Sequence, residues 1–142
     1  MNSSRLTHRV AVIGYVYDGE RFLLLKRATA PFLWAPPGGR LQVNEDPRNG
    51  LIREVQEETG LNIVIVGLVD TWFHEWYGGQ LLSLDYVVHP LSHIVRLSDE
   101  HVDFRWMNLN DIRVSGWFSE DSPGFKVSDF EKAARIYHCL HT

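Results

Sequence analysis

Between Glu45 and Glu58 the chain places five acids, Glu45, Asp46, Glu54, Glu57 and Glu58, against two arginines, Arg48 and Arg53. Five minus two leaves that stretch at −3 in a chain whose net charge is −4. At the helical step of about 100° per residue, Glu54, Glu57 and Glu58 fall within an arc of roughly 100° on one face. Glu54 and Glu58 are like charges at i,i+4, which costs a few tenths of a kcal/mol on a bare helix. Three carboxylates near a helix C-terminus also oppose the macrodipole. A hard divalent cation turns this penalty into a gain, because clustered oxygen donors are what magnesium and manganese take. On charge alone a solvated acidic face is the better explanation of the cluster, and it is the surrounding residues that overturn it. Pro37-Gly38-Gly39 upstream forms a loop whose backbone can approach a ligand closely, and Glu45 follows six residues after Gly39.

The elements that must hold these acids are legible around them. Asp46-Pro47 reads as a helix start, an N-cap followed by proline at the first helical position. The helix runs to about Thr59, with Gly60 as its left-handed terminator. Upstream, 8–17 and 21–26 read as two strands of a hairpin around Asp18-Gly19. The continuous Leu23-Leu24-Leu25 indicates a strand buried on both faces. Residues 28–45 read as loop or irregular strand. Downstream, 61–70, 71–77 and 80–89 read as strands with a Gly78-Gly79 turn, and 102–107 as another, followed by a helical turn at 109–112. Residues 128–140 close the chain as a helix with a Ser128/Glu131 capping box and an apolar stripe. Many strands with two substantial helices predict a mixed sheet clamped between helices.

The pattern Gly39, Glu45, Arg53-Glu54-Val55, Glu57-Glu58 and Gly60-Leu61 resembles the Nudix box of the MutT-like Nudix hydrolase superfamily, G-x5-E-x7-R-E-U-x-E-E-x-G-U. Every defined position is filled. Trp34-Ala35-Pro36-Pro37-Gly38-Gly39 is similar to the W-x-x-P-G-G lead-in, and the element order extends the resemblance over roughly 8–140. The resemblance implies an α/β (α+β) fold, an α/β/α sandwich with a mixed, partly antiparallel central sheet, as one domain over 1–142. It implies metal-dependent hydrolysis of a phosphoanhydride bond in a nucleoside diphosphate linked to another group: a nucleoside triphosphate, dinucleoside polyphosphate, ADP-ribose or nucleotide sugar. The cofactor is then Mg²⁺, with Mn²⁺ as a substitute. Carried over by position, Glu54, Glu57 and Glu58 are metal ligands with the Gly39 carbonyl, Glu54 and Glu57 are catalytic, and Glu45 and Arg53 pair to fix the loop on the helix. The chain departs from the common pattern at Gln42, where many members carry glutamate, at Asn44, often glycine, and at Gly50, usually alanine. Gly50 is expected to weaken the helix by up to ~1 kcal/mol relative to alanine. Asn44 tolerates left-handed geometry.

Outside the box, Ser98-Asp99-Glu100-His101 with Phe104-Arg105-Trp106 is similar to a downstream segment of several Nudix branches and makes Glu100 the candidate fifth ligand or base. Arg27 and Arg40 are candidates for phosphate, since guanidinium forks suit phosphate oxygens. In the aromatic run Trp72, Phe73, Trp76, Tyr77, Trp72 is the candidate for stacking on a base. His74 and His101 are further candidates for substrate contact. The segments at 39–42 and 99–106 are also similar to GDP-mannose mannosyl hydrolases, which cleave at the sugar carbon, so a nucleotide-sugar glycosyl hydrolase stays open, as does a non-catalytic nucleotide-binding module. The intact box favours attack at phosphorus.

Composition excludes other classes. At 142 residues, 44% hydrophobic and 23% charged, the chain is long enough for one core without staples. A net charge of −4 gives no bulk drive toward nucleic acid or an anionic membrane. The expected partner is therefore a nucleotide-type small molecule, with a homodimer compatible. A single Cys139 excludes an internal disulfide and a cysteine-based zinc site. With no signal-like apolar start and no run of 18 apolar residues, the expected setting is the cytoplasm.

Overall fold

The computed structural model describes residues 7–76 and 79–141. Seven strands and three helices follow in the order β1 (Arg9–Val16), β2 (Phe22–Arg27), β3 (Trp34–Ala35), β4 (Gly38–Arg40), α1 (Pro47–Thr59), β5 (Ile63–Trp76), β6 (Gly79–Pro90), β7 (His101–Met107), α2 (Leu109–Ser115) and α3 (Val127–Leu140). One sheet has the order β4-β1-β6-β5 and the second β3-β2-β7. The first is mixed: β1 runs parallel to β6 from Arg9–Leu81 to Val16–Val88, while β4 and β5 are antiparallel to their neighbours. The expected mixed α+β architecture is therefore what the chain adopts.

The two helix-covered cores follow from strand alternation. On one face Val12 and Val16 of β1, Leu23 and Leu25 of β2 and Val88 of β6 pack under Leu51 and Val55 of α1. On the other, Tyr15, Leu24 and Val87 pack under Phe130, Ala133, Ala134 and Tyr137 of α3. Leu23, Leu24 and Leu25 are all fully buried and split between the two cores, as a strand covered on both faces requires. Each such side chain contributes about 1.5–3 kcal/mol of hydrophobic stabilisation.

The expected β1–β2 hairpin is not formed. Asp18 does organise a turn, accepting the N–H groups of Glu20 and Arg21, but β1 and β2 share only the isolated bridge Tyr17–Phe22 and enter different sheets. A strand has two edges, and both edges of β1 are taken, by β6 and β4. The segments expected as two strands at 61–70 and 71–77 form the single strand β5, which absorbs the irregularity in register shifts at Ile65/Gly67 and Leu68/Asp70. The Gly78 half of the expected Gly78-Gly79 turn, and Tyr77, lie outside the described residues. Helix α3 starts one residue earlier than expected. Its first turn is closed by Asp129, which accepts the Lys126 N–H at 2.9 Å, while Glu131 pairs with Arg113 of α2 at 3.0 Å. Among the described residues no helix is long and apolar enough to cross a membrane.

Candidate functional site

Helix α1 is fixed as its sequence demands: Asp46 caps it by accepting the Arg48 N–H at 2.8 Å, and Gly60 ends it at φ 73°. Its inner side, Leu51 and Val55, is buried. That orientation turns Glu54 and Glu58 toward β4 and leaves Glu57 more than half exposed. Two glycines make the approach possible. A Cβ on Gly39 would overlap the Glu54 carboxylate, and one on Gly50 would overlap Leu41 and come within 2.9 Å of Glu45 Oε1. Gly50 therefore permits packing of the loop on the helix, a gain that the propensity argument alone does not count. Asn44 sits in the loop at φ 62°, the left-handed geometry expected of it.

Arg53 organises the acids. Its Nε and Nη2 donate to the two Glu45 oxygens at 2.8 and 2.9 Å, a two-toothed fork. Nη1 donates to Glu54 Oε1 at 2.9 Å and Glu57 Oε2 at 3.2 Å, and Nη2 also reaches the Arg40 carbonyl at 3.4 Å. The Arg53 fork, helped by the Gln42 N–H, holds the Glu45 carboxyl down at about 2. Glu58 takes a different environment. It is 5% exposed and its Oε1 accepts the Gly38 N–H at 2.8 Å. Burial pushes its carboxyl up to about 8, with Glu54, Glu100 and Glu57 adding to the rise. Burial also raises Glu54, and Glu57 and Glu100 add to it against Arg53.

Glu100 and His101 arrive from the second sheet. The Ala28 N–H donates to the Glu100 carbonyl at 2.9 Å, just past the end of β2. Along β7 the pairs run Leu24–Arg105 and Lys26–Asp103, and then the register slips between Lys26 and Arg27, so that Arg27 faces His101. This bulge re-aims His101: its Nε2 lies 3.9 Å from Glu58 Oε2. Its Nδ1 is buried without a hydrogen-bond partner. Nothing in the sequence marks the slip, so which way His101 points was not readable there.

The structure thus brings Glu45, Arg53, Glu54, Glu57, Glu58, Gly39, Glu100 and His101 to one region, with Arg27 and Arg40 exposed at its margins. Trp72 is not part of it. It lies on β5, three strands from β4 and about 14 Å away at ~4.8 Å per strand, stacked on His74. Among the described residues no three acidic or histidine side chains form a finished metal cage. Arg53 draws Glu54 and Glu57 to itself, and Glu58 hangs from the Gly38 amide. The donor set nevertheless fits a hard divalent cation. Its side-chain donors are all carboxylate oxygens, and burial, with the neighbouring acids adding to it, raises Glu58 and Glu54, a penalty that a bound cation would relieve.

The folded Glu58 carboxyl titrates near 8, above its ordinary 4.5. Its contribution to stability is therefore complete below about pH 4.5 and is lost as pH rises through 8. Without divalent cation the melting temperature should fall between pH 5 and 8.5, and Mg²⁺ should raise it more at pH 8.5 than at pH 5. Glu58→Gln should flatten both trends in scanning calorimetry. An equal effect of Mg²⁺ at both pH values refutes the cation site.

Comparison with known proteins agrees with this geometry. A model of the NUDIX domain matches residues 7–126. A MutT-like protein of Streptomyces ambofaciens is 30% identical over 105 residues, 74% of this chain and 67% of that protein. A bis(5'-nucleosyl)-tetraphosphatase (asymmetrical) of Caenorhabditis elegans is 32% identical over 116 residues, 77% of this chain and 83% of that protein. The crystal structure of the MutT protein from Methanosarcina mazei Go1 superposes with a TM-score of 0.71 at 26% identity, covering 97% of this chain and 99% of that one.

Proposed function

The chain belongs to the NUDIX domain family, and from that premise we propose that it is a single-domain hydrolase of a phosphoanhydride bond in a nucleoside diphosphate linked to a further group. The observation that carries this is the shared electrostatics of Glu54, Glu57, Glu58 and Glu100, four carboxylates grouped around a glycine-lined backbone. Dinucleoside polyphosphates come first among substrates, because the C. elegans relative is named for one and the match spans most of both chains. Magnesium is the proposed metal, with manganese as substitute.

Glu54, Glu57, Glu58 and the Gly39 carbonyl would hold the ion. Bound there, a divalent metal neutralises charge on the phosphate oxygens and lowers the pKa of a water. Glu45 and Arg53 hold the loop and helix in register, so the carboxylates need little reorganisation. Arg27 and Arg40, at the margins, bind non-bridging phosphate oxygens through guanidinium forks. Glu100 takes the proton of the attacking water. The water oxygen bonds to phosphorus, the bridging P–O bond breaks, and two phosphate-bearing products leave.

The exposed Cys139 has no partner cysteine in the sequence, which suits the reducing cytoplasm in which we place the enzyme. The decisive experiment is a panel of dinucleoside polyphosphates, nucleoside triphosphates, ADP-ribose and nucleotide sugars, with Mg²⁺, Mn²⁺ or EDTA and products separated by chromatography. Cleavage at phosphorus that EDTA abolishes is expected. Glu100→Gln should lower kcat by more than tenfold on the best substrate. No turnover on any member, or turnover unaffected by EDTA, refutes the proposal.

A further inference from the structure

On the sheet face turned away from α1, one residue from each strand falls in a transverse row. It runs Arg40 on β4, Ala11 on β1, Ser83 on β6 and Trp72 on β5, linked by the register pairs Ala11–Arg40, Ala11–Ser83 and Trp72–Ser83. Side chains of paired residues share a face, and α1 lies over the opposite one, against Val12, Gly14 and Val16. The next row is Gly38, Ile13, Asp85 and Asp70. The first row starts beside the acids, since Gly39 touches Glu54 and the Arg40 carbonyl accepts from Arg53. It ends at Trp72, which is 38% exposed. Between those two large side chains the floor is small, Ala11 and Ser83.

Asp85 is the unexplained group on this face. It is 8% exposed, and its one hydrogen-bond partner among the described residues is the Ser83 hydroxyl, which donates to Oδ1. Ser83 itself is 5% exposed. Burial raises the Asp85 carboxyl to about 6, with Asp129 and Asp70 adding to the rise against Ser83, so it is an anion at neutral pH. The hydrolytic steps above do not use it. Oδ1 takes the Ser83 hydroxyl, and Oδ2 has no protein donor among the described residues and is left for a donor from outside the chain. Ionised, the carboxylate can only accept, and it is matched by two adjacent N–H donors. Guanine presents such a pair, N1–H beside its 2-amino group.

We propose that this row is the nucleoside subsite, in which Asp85 with Ser83 reads a guanine edge and Trp72 stacks on the base, making the substrate a guanine nucleotide derivative. The proposal rests on the hydrolase reading for where the phosphates lie, at the Arg40 end. The strand spacing then sets the base two to three strands away, about 10–14 Å from β4. Sequence reading singled out Trp72 but not Ser83 or Asp85, because alternation alone does not say which face of β6 is shared with Arg40.

The test is calorimetric titration of the full chain with GMP, IMP, AMP and CMP, with and without Mg²⁺. GMP should bind at least tenfold more tightly than IMP, which lacks only the 2-amino group, and than AMP. Asp85→Asn should weaken GMP at least tenfold and bring the GMP/IMP ratio toward one, while Trp72→Leu should weaken all four alike. The GMP/IMP comparison needs no substitution, so it decides even if Asp85→Asn fails to fold. Equal affinity for GMP and IMP, or an Asp85→Asn variant that keeps the discrimination, overturns the proposal. Metal-dependent cleavage of the substrate panel without base discrimination would sink this subsite and leave the hydrolase standing. Discrimination without any cleavage would do the reverse.

Discussion

Glu57→Gln is expected to lower kcat for metal-dependent hydrolysis by about 10²- to 10³-fold. A carboxylate ligand shares in several kcal/mol of charge stabilisation at the transition state, and each 1.36 kcal/mol is tenfold in rate. The fold should not notice the change. The Glu57 side chain is 58% exposed, and among the described residues its one ion pair is the i,i+4 pair with Arg53 at 3.2 Å, the kind of surface pair worth about 0–1 kcal/mol. Steady-state kinetics at saturating Mg²⁺, read beside a melting curve, separates the two effects. Activity within threefold of wild type at an unchanged melting temperature would remove Glu57 from the machinery.

Arg53→Ala should produce the second largest loss, about 10²-fold in kcat/KM, although Arg53 carries none of the chemistry. One guanidinium fixes Glu45, Glu54 and Glu57 and touches the Arg40 carbonyl. Without it Glu54 keeps the burial and like-charge contributions that raise it and loses the partner that opposes them. The loop carrying Gly39 also loses its tie to the helix, and misplacement of about 1 Å costs rate on that scale. Arg53→Lys should recover only part of the loss, because an ammonium cannot donate the parallel fork that Glu45 accepts. A pH readout distinguishes this from general damage. The Glu45 carboxyl is held at about 2, below its ordinary 4.5. Its contribution is therefore present above about pH 4.5 and lost as pH falls toward 2. Arg53→Ala should lack that acid-side loss in unfolding measurements between pH 2 and 6, and should lower kcat/KM at neutral pH. A variant that melts like wild type across this range and keeps its kcat/KM would contradict both roles.

Local information carried much of the fold. Asp46-Pro47 and Gly60 define α1 at both ends because capping is a one-turn affair, satisfied by residues adjacent in sequence. Leu23-Leu24-Leu25 announced a strand covered twice, and it is. The hairpin between β1 and β2 failed for the opposite reason. A turn at Asp18 can form locally, but strand pairing is decided by which edges are taken, and those edges belong to segments some 25 and 70 residues on. Gly50 shows the same limit, since its propensity is local while Leu41 and Glu45, which need it to be small, are not.

By itself, then, the sequence determined the acidic cluster, its spacing on one helix and the need for a positive partner, because helical geometry and charge are properties of consecutive residues. Only the tertiary structure decided which carboxylate is buried, which are held by Arg53, and that Glu100 and His101 come from a separate sheet to face them. It also set Asp85 and Trp72 on the same sheet face as Arg40. Burial, edge pairing and the bulge at Arg27 depend on neighbours distant along the chain, and no local pattern records them.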